Sequence, residues 1–455
     1  MRQHDLTQGS IFGNIAAFSL PYLLSCFLQI FYGLADLFFV GRYCGVSTTT
    51  AVAVGSQVMH MVTVVLVGLA MGSTVKVAHY AGAGDRQGTS LAIGNSITLF
   101  AVISVIFSAL SLAGVDDLIR WLSAPAEAVT ETRQYLVICF LGIPIIVAYN
   151  IVASIYRGLG DSRSPMYFVA VACVVNVLLD YLLVGPAGLG ARGAAWATIA
   201  AQAVSVAVAL LSIRRKRGSV QMRRQYLKPD LSMMRQLLHI GLPVALQDGF
   251  IQIGFLFITM IANMRGLDDA AAVGIVEKMI GIFFLIPSAM LATVSAMAAQ
   301  NFGAHRVDRA VSTLWHAVAV CAAVGTAASL VTQFFSSELV GMFTDHPHVI
   351  ALGGDYLRVY VWDCVVAGIH FCFSGFFCAC GRSIFSFVHN IISMGTFRVP
   401  GCYWASIHYP ATLMPMGAAT ILGSTVSVLI CLGMFFWLRG RLQVQYAPHD
   451  NPLGN

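Results

Sequence analysis

The chain has 455 residues, of which 58% are hydrophobic and 10% charged, with a mean hydropathy of +0.79 and a formal net charge of +6. So little polar surface cannot cover a water-soluble globule, and the chain is read as belonging in a bilayer. The excess positive charge needs no nucleic acid, because basic residues gather in the connectors on one side of the predicted spans.

Twelve apolar segments are predicted to span as helices, at about 15–40, 51–78, 91–114, 134–159, 165–184, 192–212, 237–264, 270–299, 309–333, 350–380, 384–407 and 414–438. Crossing ~30 Å of hydrocarbon takes about 20 residues of helix. Lipid offers no partner to backbone N–H and C=O groups, and the alternation of an outer-membrane barrel is absent, so helices are expected. The first segment is too long for a removable signal peptide and lacks its small-residue cleavage site. Pro21 lies early in it and Asp36 late, within Phe31 to Val40, where neighbours offer neither solvent nor charge. A charge at the bilayer centre costs about 2.5–3.5 kcal/mol on insertion scales, so Asp36 is expected to face a cavity.

In the fifth segment Asn176 and Asp180 are four apart and share a helix face. The amide oxygen can ligate a hard cation while its N–H₂ bonds the carboxylate, which makes the pair a usable cation or proton site; a plain interhelical staple is the competing reading. The basic connector 214–236, from Arg214 to Gln236, separates an N-terminal lobe, 1–213, from a C-terminal lobe, 237–440, and 441–455 forms a tail. The second lobe holds Asp248 in the seventh segment and adjacent Glu277 and Lys278 in the eighth, only one of which can look inward. Asp363 falls near the outer end of the tenth, where interface depth would make its cost small, and Arg398 in the eleventh. The eleven cysteines and scattered histidines show no spacing of a zinc site or a disulfide framework.

The second half repeats the first about 221 residues later. Ala78 to Ala83 returns as Ala299 to Ala304, Gly160-Asp161-Ser162 as Gly381-Arg382-Ser383, Ser19-Leu20-Pro21 as Gly241-Leu242-Pro243, and Gly193-Ala194-Ala195 as Gly417-Ala418-Ala419. Six helices per half give both repeats one orientation, so the expected fold is an all-α membrane protein of two six-helix bundles related by a pseudo-twofold axis along the membrane normal. With the N-terminus inside, Arg86, Arg157, Arg163, Arg306, Arg382 and Arg439 join the central basic block on the cytoplasmic side. The positive-inside rule then predicts both termini in the cytoplasm.

Pro21, the stretch Ala35 to Gly41, the loop Tyr80-Ala81-Gly82-Ala83-Gly84-Asp85 and the run Arg157 to Pro165 together resemble the multidrug and toxic compound extrusion (MATE) transporters over about residues 10–440, in the prokaryotic branch described as DinF-like. The resemblance implies that Asp36, Asn150, Asn176, Asp180 and Thr198 form a polar coupling cluster in the first lobe. It also implies antiport in which H⁺ or Na⁺ entry drives an organic, often cationic and amphipathic, compound outward across the cell membrane. Proline frees a helical carbonyl, so Pro21 is the expected bend of the first helix. Some members carry acids in the seventh and tenth helices, but Asp248 and Asp363 do not match those positions, and Asp248 and Glu277 stand only as substrate-cavity candidates. A monomer in membrane lipid is expected, with no cofactor beyond the coupling ion and no metal site other than for Na⁺.

Two other transporters share the two-lobed build. A lipid-linked oligosaccharide flippase would line its cavity with cations, and here only Lys76, Lys278 and Arg398 are available. A major facilitator would place basic residues after Gly88, where Thr89-Ser90 stand. No Ser/His/Asp spacing, His-Glu-x-x-His or phosphate loop points to an enzyme.

Overall fold

The structure is a computed structural model that describes residues 5–122, 125–215 and 223–445. The expected tail from 446 on and residues 216–222 of the basic connector lie outside them. The described residues are nearly all helical, with no strand among them.

Among the described residues nine helices are long and apolar enough to cross a membrane: Ile11–Tyr43, Val46–Gly82, Arg86–Ala113, Arg163–Val184, Gly190–Ile213, Leu231–Arg265, Leu267–Gly303, Val307–Gly341 and Met414–Leu442. Two bent pairs raise the number to eleven. Val129–Leu141 and Ile143–Gly158 meet at 49°, and Pro347–Tyr360 and Asp363–Ala379 meet at 41°. Pro144, in the first turn of Ile143–Gly158, explains the first bend, since it has no N–H to continue the ladder. The twelfth expected span is the composite Ser383–Ile392, Ser393–Arg398 and Val399–His408, whose middle piece is π-helical. Pro400 cannot donate to the turn before it, and a widened turn of this kind accommodates the lost bond. Large apolar side chains such as Leu110, Phe334 and Phe436 stand exposed along the spans, as a lipid-facing surface requires.

By compactness the chain divides into two units. The first comprises Met1–His4, Leu20–Ala81 and Asp85–Gly241, the second Asp5–Ser19, Gly82–Gly84 and Leu242–Asn455. The divisions inside the first and seventh spans fall beside Pro21 and Pro243, the prolines that the repeat places in corresponding positions. The seventh span begins at Leu231, so residues 231–236 of the expected connector are helical. They pack in the first unit, where Met233 and Leu237 join the core built on Leu136, Phe140 and Ile143. Lys76 Nζ donates to Gln236 Oε1 there at 2.7 Å. In the second unit, Arg306 Nη1 donates to Thr7 O at 2.7 Å and Arg309 Nη2 to Gln8 O at 2.9 Å.

The repeat extends to individual hydrogen bonds. In the first unit Thr74 Oγ1 donates to Ser154 O at 3.2 Å, and in the second Ser295 Oγ donates to Gly375 O at 3.2 Å. Ser108 to Phe140 O, at 2.6 Å, is answered by Ser329 to Val361 O, at 3.1 Å. Each bond ties two helices where water is absent, so its donor must find a carbonyl inside the bundle. The loops repeat as well: Asp85 N to Tyr80 O and Arg306 N to Asn301 O close equivalent turns. Those turns need a left-handed residue, which is Gly84 (φ 69°) in one half and His305 (φ 57°) in the other.

Backbones meet closely where the second span crosses the start of the seventh. A Cβ on Gly72 would run into the Leu237 carbonyl, and one on Gly241 into the Leu69 carbonyl, whereas Gly433 faces open space. Small residues at such crossings let helices approach within van der Waals contact. Gly72→Ala and Gly241→Ala are therefore expected to cost about 1–3 kcal/mol each by overpacking. In a thermal melt followed by size-exclusion, both should lower the midpoint while Gly433→Ala leaves it unchanged or raises it.

Candidate functional site

Asp36, Asn176, Asp180 and Thr198 converge inside the first unit from its first, fifth and sixth spans. Asp36 is 3% exposed, Asn176 and Asp180 0%. Asn176 Nδ2 donates to Asp36 Oδ1 at 3.0 Å, and Thr198 Oγ1 donates to Asp36 Oδ2 at 3.2 Å. Thr198 also bonds Ala194 O of its own helix, which fixes its rotamer. The spacing of Asn176 and Asp180 places them on one helix face, and that face turns inward.

The Asp180 carboxylate adjoins that of Asp36, and neither of its oxygens finds a donor. Asn176 Oδ1 is also buried and partnerless. Three acceptor oxygens without donors, beside a second carboxylate, form a set that a proton or a hard cation would complete. Two adjoining carboxylates in an apolar lobe repel, so one positive charge between them relieves both repulsion and desolvation. Among the described residues no trio of His, Cys, Asp or Glu side chains is arranged to hold a metal ion, so any cation held here would rely on amide and hydroxyl oxygens beside these two acids.

Asn150, from the bent fourth span, is buried but spends its amide on Ile146 O at 2.9 Å rather than on Asp36. Pro21 lies inside a first span that is helical throughout Ile11–Tyr43, with Ser25 Oγ donating to the Pro21 carbonyl at 2.9 Å. Tyr32, one turn before Asp36, accepts from Gln202 Nε2 at 3.3 Å and extends the polar face of the first span.

The second unit carries a different cluster. Asp363, expected at interface depth, is wholly buried, and Arg398 Nη2 reaches its Oδ2 at 2.8 Å and the Tyr360 hydroxyl at 2.9 Å. Position 363 opens the second piece of the bent tenth span, and Arg398 ends the π-helical turn, so both irregular elements meet in this pair. Behind it, His389 bonds Ser374 and Ser427 at 2.9 and 3.0 Å. Of the adjacent pair, Glu277 looks inward and accepts from Thr259 Oγ1 at 3.1 Å, while Lys278 is exposed. Asp248 is half-buried and accepts only from its neighbour Gln247, at 3.3 Å. Sequence spacing could not pair Asp363 with Arg398, which lie on different spans; the available signal was two opposite charges in one apolar half.

With this geometry in view, the chain matches the sequence profile of the MatE family over residues 21–182 and 243–404, one segment in each repeat. It is 26% identical to the probable multidrug resistance protein YpnP of Bacillus subtilis (strain 168) over 442 residues, 97% of this chain and 98% of that one. To the probable multidrug resistance protein NorM of Thermotoga maritima it is 24% identical, across 91% and 90% of the two chains. A crystal structure of MATE in the bent conformation superposes with a TM-score of 0.91 at 22% identity, covering 98% of this chain and all of the other, a likeness of fold. The twelve helices in two like bundles and the paired profile match agree: the chain belongs to the MATE family of multi-pass membrane transporters, which export small molecules and are not enzymes.

Proposed function

We propose that the protein exports organic compounds by antiport, with H⁺ or Na⁺ entering as the coupling ion at Asp36 and Asp180. The observation that carries this reading is the adjoining, donor-poor carboxylate pair at the centre of the first unit. A transporter that couples two fluxes needs a site whose occupancy changes its preferred conformation. Adding a proton or Na⁺ removes the repulsion between the two adjoining acids, and its loss restores it, which acts on the first span through Asp36 and on the fifth through Asp180 and Asn176. The first span can answer because Pro21 interrupts its hydrogen-bond ladder. Asn176 and Thr198 hold the Asp36 carboxylate in place, and Asn150 lines the same lobe from the fourth span.

The Lys and Arg bias of the connectors supports an orientation with both termini in the cytoplasm of a cell whose plasma membrane the chain spans as a monomer. Asp248 and Glu277 supply acids in the second unit for a cationic substrate. Relatives named as multidrug resistance proteins support a broad range of organic substrates.

In proteoliposomes, efflux of a fluorescent organic cation should be driven by an imposed pH gradient or an imposed Na⁺ gradient; no transport under either would refute the antiport reading. Asp36→Asn and Asp180→Asn should each abolish gradient-driven transport, and a variant that retains the wild-type rate would remove that residue from the coupling site. Thr198→Val deletes one hydrogen bond to a charged group, worth about 1.5–3 kcal/mol, so the coupling-ion concentration at half-maximal rate should shift by about tenfold to a hundredfold.

A further inference from the structure

The second unit contains a cavity of about 50 Å³ that the coupling cluster does not use. Its floor is formed by His370, Arg398 and Ser424, all buried, and its mouth by Phe255, Phe284 and Phe371, all half-buried. No Asp, Glu or Lys lines it, and Arg398 is its one formally charged lining residue. Asp363 takes the Nη2 edge of the guanidinium, which leaves Arg398 Nε buried without a partner. His370 Nδ1 is buried and partnerless too. Two of the three other polar lining groups spend their hydrogens elsewhere, Asn390 Nδ2 on Ser386 O at 2.9 Å and Ser393 Oγ on Gly423 O at 2.6 Å, while Ser424 Oγ is buried without a hydrogen-bond partner.

A desolvated guanidinium has five donors in a fixed fork, and an unused buried donor is costly until an acceptor meets it. We infer that this cavity is a substrate subsite that receives the carboxylate of a zwitterionic aromatic compound, with Arg398 Nε and His370 as donors. The volume admits one such group or a couple of waters and not a whole drug. The remainder of the compound lies against the phenylalanine mouth, where ring faces favour both aromatic surface and a cationic centre. Phe255 already has the Arg398 Cζ 5.3 Å from its ring centroid, which shows that this wall tolerates a cation. Arg398 and Asp363 together are neutral, so an incoming carboxylate is best accompanied by its own positive charge, and a zwitterion meets that condition where a simple anion does not.

This inference rests on the export reading but is tested by binding, independently of any gradient. Rhodamine 110 carries a free carboxylate, and rhodamine 123 is its methyl ester. Fluorescence anisotropy with the purified full-length protein should give about tenfold tighter binding of the acid than of the ester, one charge-assisted hydrogen bond's worth of preference. Arg398→Met combined with Asp363→Leu removes the ion pair without leaving a lone buried charge. The acid-to-ester ratio should then fall to about one, and Arg398→Lys should keep part of it. If the double variant is not monodisperse, His370→Phe removes a floor donor without touching the ion pair and should lower the same ratio. Equal binding of the two dyes by the wild type, no binding of either, or a ratio unchanged in these variants would overturn the subsite. Gradient-driven efflux of rhodamine 123 without any acid preference would leave the export reading standing and this one refuted.

Discussion

Inside hydrocarbon, a polar group without a partner has no solvent to turn to, and that constraint organises this molecule. Serines and threonines along the spans find carbonyls, either one turn back on their own helix, as Ser96 and Thr293 do, or on a neighbouring helix, as Thr74 and Ser295 do. Where the rule is satisfied the helices are tied together. It is left unsatisfied at several buried atoms, among them both Asp180 oxygens, Asn176 Oδ1 and Arg398 Nε, which belong to the two charged clusters of the spans.

The two units answer the constraint in opposite ways. In the first, two carboxylates adjoin, and Asp180 has no donor for either oxygen. In the second, a carboxylate is paired with a guanidinium whose Nε has no acceptor. The scaffold is duplicated down to single hydrogen bonds, yet the electrostatics are not. At the repeat position of Asp363 the first half has Gly142, at the bend of its fourth span, and the region of Arg398 in the first half holds Asn176.

Much of this was legible in the chain itself. Eleven of the twelve apolar runs gave helices or bent helix pairs long enough to span, and the twelfth a composite of three short pieces, because hydrophobic length is a near-sufficient signal in a membrane. The four-residue spacing of Asn176 and Asp180 gave their shared face, a local consequence of helix geometry. Asp363 with Arg398 was not legible, because the pairing depends on the packing of the tenth span against the eleventh and no local period encodes it. The bend of the fourth span and the π-helical turn left only prolines as traces, Pro144 and Pro400, which mark where the ladder fails but not how the chain accommodates it; the bend of the tenth span, at Val361–Trp362, left no proline at all. The start of the seventh span was hidden for another reason: residues 231–236 are polar enough to read as connector, and they become helical by docking onto Gly72 and Lys76.

That docking bears on what counts as one half. Leu237 and Gly241 press their backbones against Gly72, and the carbonyls of Thr7 and Gln8 accept from Arg306 and Arg309. Each compact unit therefore borrows its last piece of packing from beyond the point where its own repeat begins or ends. A chain severed in the basic connector would part residues 5–19, and likewise residues 231–241, from the rest of the compact unit to which each belongs, so neither repeat by itself carries a whole unit.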